Sequence, residues 1–260
     1  MVNGIGGVFI KATDPKFLSR WYEDNLGIGF GTNVYFSFKW RNVSTDKLCV
    51  TDLSFYPQLT TYFYPSDHDA MLNLRVDDLD TLRLQLKKDG FEVPDKVEAH
   101  DYGRFGWVID PEGNKIELWE AVDEQFPDLE QPMVFYGHTR MLGGVFIKCF
   151  DPKKMSDWYS KYFGLFQEQT AHIFNWKTQY DNQPGSTVLS FFPEESEYFS
   201  PSTKRFMLNF CVQDLNGLLK ELKSSEVPVI GEPQTYEYGM FAWIMDPDGN
   251  KVELWEPKES

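Results

Sequence analysis

The chain is poor in the residues that metal and disulfide chemistry use most, with three cysteines and four histidines among 260 residues. An odd number of cysteines cannot complete a disulfide framework, and none is spaced with another like a zinc clip. The sequon Asn42-Val43-Ser44 therefore carries no weight unless the chain is secreted. Basic residues are also scarce: 25 Lys and Arg face 40 Asp and Glu, a formal net charge of −15. That balance argues against nucleic acid, which needs a basic face, and disfavours anionic membrane surfaces. It remains compatible with cationic or neutral small ligands. No run approaches the roughly 18 apolar residues of a membrane helix. The opening Met1-Val2-Asn3-Gly4-Ile5 has no basic stretch and no cleavage pattern, so no signal peptide is expected. A phosphate-binding glycine loop, a Gly-x-Ser-x-Gly elbow and a His-Glu-x-x-His pair are all missing. The expectation is a reduced, soluble, cytoplasmic protein.

Aromatic residues are abundant, at 17% of the chain, and the sequence is written twice. Gly6-Gly7-Val8-Phe9-Ile10-Lys11 returns 137 residues later as Gly143-Gly144-Val145-Phe146-Ile147-Lys148. One residue is lost after Gly164, and Met71-Leu72-Asn73 returns 136 residues later as Met207-Leu208-Asn209. The segment from Asp110 to Glu120 returns from Asp246 to Glu256 with 9 of 11 positions identical. A single gap over so long a match indicates tandem duplication. The boundaries expected are residues 1–122 and 139–260, joined by an acidic, proline-containing linker over 123–138 that has no Lys or Arg.

A weaker repeat lies inside each half. Val8 to Lys11 leads through Asp14 into an amphipathic stretch with Leu18, Trp21 and Tyr22 that stops at Gly27. Leu72 to Arg75 leads through Asp77-Asp78 into Leu79, Leu82 and Leu86 and stops at Gly90. Each reads as a strand, a capped helix entry, a helix and a glycine stop. Alternating runs follow, the last two joined by the turn sequence Asp110-Pro111-Glu112-Gly113-Asn114. The pattern predicts an α+β fold of four βαβββ modules.

This arrangement, with its Gly-Gly-Val-Phe-Ile-Lys opening and Asp-Pro-x-Gly-Asn-x-x-Glu-Leu close, resembles the vicinal oxygen chelate superfamily. That group includes glyoxalase I, extradiol dioxygenases and the bleomycin- and fosfomycin-resistance proteins. The resemblance implies tandem glyoxalase-like domains whose curved sheets form partly open barrels. It places the family's metal-ligand positions at Gly7, Asp52, Met71 and Glu117, and at Gly144, Val188, Met207 and Glu253. Glycine has no ligating side chain and methionine suits soft metals, so at most two carboxylates remain per site. This holds whether sites form within a half or across the halves. No metal cofactor is therefore expected, with His172 beside Glu253 the one alternative route to a divalent metal site.

Strand alternation assigns faces to the side chains. In the first half the cleft lining expected is Phe9, Lys11, Asp52, Ser54, Tyr56, Asn73, Phe105, Trp107, Glu117 and Trp119, with Phe36, Phe38 and Trp40 as further candidates. In the second half it is Phe146, Lys148, Ser190, Phe192, Asn209, Phe241, Trp243, Glu253 and Trp255, with His172, Phe174 and Trp176. Such a lining suits a small-molecule pocket or, alternatively, fills the contact between halves. Glu117 and Glu253, set among Phe and Trp, are the candidate acid–base groups, because burial raises a carboxyl pKa. Lys11 or Lys148 could instead hold them ionised. Tyr102, Arg104 and Tyr238 are expected in a loop at the rim, and Arg104 becomes Met240 in the second half, so the two pockets should differ.

Three readings of function follow. The first is a metal-independent binder of a small aromatic or cationic molecule, similar to drug-sequestering resistance proteins. The second is a glyoxalase-like lyase or isomerase, or a dioxygenase-like enzyme, with Glu117 or Glu253 as base and with or without a weakly bound metal. The third is a scaffold with vestigial clefts. The fused halves imitate a dimer, so a monomer or a homodimer is expected, with a small molecule as the partner.

Overall fold

A computed structural model describes residues 2–122, 138–179 and 182–258. All of the expected linker except His138 lies outside the described residues. The first half runs β1 (Val2–Ala12), α1 (Pro15–Leu26), β2 (Tyr35–Asn42), β3 (Leu48–Pro57), β4 (Ala70–Val76), α2 (Leu79–Lys88), β5 (Glu98–His100), β6 (Gly103–Ile109) and β7 (Lys115–Ala121). The second runs β8 (Thr139–Cys149), α3 (Pro152–Phe163), β9 (Gln167–Glu168), β10 (Ala171–Thr178), β11 (Pro184–Pro193), β12 (Phe206–Val212), α4 (Leu215–Ser224), β13 (Val229–Tyr236), β14 (Gly239–Met245) and β15 (Lys251–Pro257).

The helices begin where their aspartates can accept orphan backbone N–H groups. Asp14 accepts from Lys16 and Phe17 ahead of Pro15, and Asp78, Asp151 and Asp214 do the same for α2, α3 and α4. Gly27 and Gly164 end α1 and α3 at φ 68°, a left-handed conformation that suits glycine. The first module departs from the expected pattern: it is βαββ, whereas the other three are βαβββ. The segment Gly27-Ile28-Gly29-Phe30-Gly31-Thr32-Asn33 stands where the second half has β9, and Gly31 sits at φ 58°. Three glycines turn the chain away from the ladder there.

Within the first half β1 pairs parallel with β3 and antiparallel with β4, and β4 pairs parallel with β7. The second half repeats this with β8, β11, β12 and β15. The halves then join edge to edge. Trp176, Lys177 and Thr178 of β10 pair with Asn42, Arg41 and Trp40 of β2, giving one curved 15-stranded sheet. Leu53, Phe55, Leu72, Leu74, Ile116 and Leu118 are buried in a hydrophobic core that continues into the second half. In it, Phe210 of β12 meets Tyr22 of α1 and Phe38 of β2 at ring separations of 6.0 and 6.2 Å.

The repeated Asp-Pro-x-Gly-Asn turn explains how the halves lock. Asp110 folds its own turn by accepting from the backbone of Glu112 and Asn114 and from the Asn114 amide, all at 2.7 to 2.9 Å. Its second oxygen also receives the phenol of Tyr159 on α3, 3.3 Å away. Asp246 makes the same turn and receives Tyr22 of α1 at 2.9 Å. The neighbouring acids reach across too: Glu112 accepts from the backbone of Phe150 and Asp151, and Asp248 from that of Thr13. Each half's turn therefore seats the strand-to-helix junction of the other. Burial pushes Asp110 and Asp246 up to about 6.

Candidate functional site

The strand registers bring the expected positions together within each half. Gly7 lies opposite both Asp52 and Asn73, and Asn73 lies opposite Glu117. In the second half Gly144 lies opposite Val188 and Asn209, and Asn209 opposite Glu253. Each site is thus built from neighbouring strands of a single half.

The two glutamates are not the isolated carboxylates that the sequence led us to expect. Glu117 is 2% exposed; Oε1 accepts from Asn73 Nδ2 at 2.7 Å, and Oε2 from Trp107 Nε1 at 3.0 Å and from the Tyr62 hydroxyl. Glu253, also 2% exposed, accepts from Asn209 at 2.6 Å, Trp243 at 2.7 Å and the Tyr198 hydroxyl. Burial raises both carboxyls above the ordinary glutamate range, while these donors and the charge of Lys115 or Lys251 pull the other way. Both tyrosines are raised, first by burial and then by the glutamate charge.

Sequence reasoning missed four members of these networks. Tyr62 and Tyr198 lie outside the strands, where no alternation marks them. The signal was the recurrence of Tyr-Phe-x-Pro-Ser at 62–66 and 198–202. Lys115 and Lys251, rather than Lys11 and Lys148, supply the cations beside the glutamates. Each donates to the carbonyl of its tyrosine at 2.6 Å and stands 4.9 to 5.4 Å from the Tyr and Trp rings. Lys11 and Lys148 instead lie over Phe63 and Phe199, each 5.2 Å from the ring centre.

Aromatic walls surround both networks. Tyr56 stacks on Tyr62 at 5.2 Å and Phe192 on Tyr198 at 5.4 Å, with Phe9 and Phe146 against these pairs. Toward solvent, His100 stacks on Tyr102, Tyr102 meets Phe105, and Phe105 stacks on Trp119 at 5.6 Å. Tyr236, Tyr238, Phe241 and Trp255 repeat that ladder. Trp119 and Trp255 are fixed by donating to the carbonyls of Tyr102 and Tyr238 at 3.2 Å.

Three expectations about the lining are corrected. His172 is buried on the helix side: its ring meets Ser156 of α3 at 3.0 Å and the Phe166 carbonyl at 3.3 Å, and burial lowers its pKa. It cannot reach Glu253's cleft. Phe38, Trp40, Phe174 and Trp176 belong to the same inner core, with Phe36 packed against it, and Trp176 donates to Thr187 at 3.0 Å. Antiparallel partners share a face, and His172 pairs with Leu189 just as Phe36 pairs with Leu53, both core residues. Arg104 is in β6 rather than a rim loop, and its guanidinium turns to α2, binding Asp80 at 2.9 Å and Glu120 at 3.0 Å.

The halves differ where the repeat diverges. Ser37, on the opposite face of β2 from its core-facing aromatics Phe36 and Phe38, donates to Asp52 at 2.5 Å. Burial raises the Asp52 carboxyl, against the Ser37 bond and the charge of Arg75. Arg75 is itself buried, 4.7 Å from the Trp119 ring. Val188, Ile173 and Cys211 stand at the three equivalent places.

The donor set does not fit the family's divalent metal. Gly7 and Gly144 offer no side chain, and Met71 and Met207 are packed among aromatic rings. Glu117 and Glu253 already have both oxygens engaged by three donors each. Among the described residues no group of three or more His, Cys, Asp or Glu is placed to hold a metal ion. Among them, too, no helix is long and apolar enough to cross a membrane.

No curated protein sequence matches the chain. Solved structures similar to it include the 2,3-dioxygenase LapB from Pseudomonas sp. KL28, at 14% identity and a TM-score of 0.57, covering 98% of this chain and 92% of that one. A catechol 2,3-dioxygenase is similar at 17% identity and a TM-score of 0.58, covering 100% and 90%. The Mn(II)-bound glyoxalase from Novosphingobium aromaticivorans is similar at 14% and 0.57, covering 99% and 83%. At such identities the likeness is one of fold. Residues 141–254 match the family described as the Glyoxalase/Bleomycin resistance protein/Dioxygenase superfamily. The second half thus matches that family over most of its length, and the first half repeats the segment's motifs and strand registers, so the chain has the fold of the family in a tandem, two-half form.

Proposed function

We propose that this protein binds a small aromatic or cationic molecule in its aromatic-lined clefts without using the family's metal site. The observation that carries the reading is the state of Glu117 and Glu253. Each carboxylate has both oxygens engaged by Asn, Trp and Tyr donors of its own half, an arrangement that suits holding the cleft wall in shape better than ligating a metal. Half-buried Phe105 and Trp255, stacked on the buried Trp119 and Phe241, offer flat faces for a ring, and the acidic chain favours a cation over an anion. Among the described residues the buried Cys49, Cys149 and Cys211 form no disulfide, which supports a reduced, cytoplasmic setting. A monomer suffices for this role, because the second half already occupies the place of a dimer partner.

The raised carboxyls favour a second reading, a lyase or isomerase that uses Glu117 or Glu253 as base through Tyr62 or Tyr198. The experiment compares protein purified without chelator with chelator-treated protein. Both are titrated with a flat cationic dye while tryptophan fluorescence is followed. Equal affinity and no metal retained after dialysis support binding; a stoichiometric metal whose removal abolishes dye binding overturns it.

A further inference from the structure

We propose a second kind of ligand site, separate from the clefts: a cavity between the halves that takes a neutral, single-ring hydrocarbon. The cavity has a volume of about 150 Å³. Its apolar walls are Val8, Leu72 and Ile116 from the first half and Val145, Ile147 and the Phe206 ring from the second, and charged and polar side chains share the lining. Its origin is a divergence of the repeat. Ala70 stands where the second half has Phe206, so one benzyl group fills its side of the contact and its counterpart is missing. Ala70 and Ile147, both in strands at the junction, stay only partly buried as a result.

The charges at the mouth decide the ligand's class. Lys204 pairs with Asp69 at 2.9 Å, and Arg205 with Glu194 at 2.7 Å. Arg205 also donates to His68 Nε2 at 2.7 Å, which leaves the other ring nitrogen to donate to Asn114. The two further charged groups in the lining, Asp67 and Lys148, are of opposite sign. Arg205 also stands 3.8 Å from Glu112, so Lys204 and Arg205 are already engaged by carboxylates, while the apolar walls favour hydrocarbon. A cavity near 150 Å³ lined by Leu, Ile and Phe is known to hold benzene or xenon. Met71, next to Ala70, packs under Phe9 and Phe63 of the first cleft, so an occupant here would sit one residue from that cleft's wall.

Benzene is the probe. Melting of the full chain is followed with increasing benzene for the native protein, Ala70→Phe and Ala70→Leu. At tenfold excess over its dissociation constant, benzene should raise the native melting temperature by about 3 °C. Ala70→Phe should abolish the shift, because it places the repeat's own side chain in the cavity, and Ala70→Leu should reduce it. If Ala70→Phe does not fold, Ala70→Leu and xenon binding to the native protein, read by xenon NMR, decide the matter. No benzene shift and no xenon signal in the native protein would overturn the proposal. So would a shift of unchanged size in both variants, which would put the ring in the clefts instead.

Discussion

Tyr22 of the first half donates its phenol to Asp246 of the second across 2.9 Å, and both groups are buried. The bond ties a helix of one repeat to the turn that closes the other. Tyr22→Phe keeps the ring contacts with Phe55 and Phe210 and removes only the donor. We expect a loss of about 1–2 kcal/mol in denaturant unfolding, with helix content unchanged.

The same aspartates set a pH dependence. Asp110 and Asp246 are raised from 3.8 to about 6, so the folded protein binds their protons more tightly than the unfolded chain. Their stabilising contribution is complete below the unfolded value and is lost as pH rises through about 6. Lowering the pH from 7 to 5.5 should therefore add roughly 1 kcal/mol per group. Melting curves of native protein and Asp246→Asn over that window test this; the variant should have the flatter profile.

Glu117→Gln replaces an acceptor of three hydrogen bonds with a group that has one acceptor oxygen. Its new amide then faces either the Trp107 N–H or Asn73, whose side chain must turn over to accept from it. A stability loss of about 2–3 kcal/mol should follow. Under the binding reading, dye affinity of the other cleft should stay within twofold in fluorescence titrations.

Gly6 leaves the space that Asn73 occupies. A Cβ there would come within 2.1 Å of Asn73 Oδ1 and 2.8 Å of the Trp119 ring. Gly6→Ala should displace the amide from Glu117 and cost about 2–4 kcal/mol. Gly143→Ala, 2.1 Å from Asn209 Oδ1, should do the same in the second half. Calorimetry of the pair would show whether the two networks melt together.

Asp52→Val gives the first half the residue that the second half carries at Val188. Removing this buried carboxyl should weaken a cationic ring in the first cleft about tenfold or more and leave a neutral ring of the same shape unaffected. Paired titrations with the two rings measure the difference.

The duplication, the aspartate-capped helices and the faces of β1, β3, β4 and β7 were legible in the sequence, because repeats and strong alternation survive without tertiary information. Asp52, Asn73 and Glu117 came together on that basis. The face of β10 was not legible. In His172-x-Phe174-x-Trp176 the alternate residues Ile173 and Asn175 make neither face clearly polar, and only the pairing of His172 with Leu189 settles the matter. Tyr62 and Tyr198 escaped because they sit outside the strands, in a turn and in the short 3-10 helix Glu197–Phe199, where position follows from contacts far along the chain.

The ion pairs at the junction have a consequence for how the halves could ever have separated. By the repeat, Asp69 corresponds to Arg205 and His68 to Lys204, and the contacts run crosswise, Asp69 to Lys204 and His68 to Arg205. Two copies of the second half meeting in this geometry would set Lys against Arg twice. Two copies of the first would set His against Asp. Covalent fusion guarantees each half an unlike neighbour, so the second half has become free to carry a pair of cations that would repel its own twin.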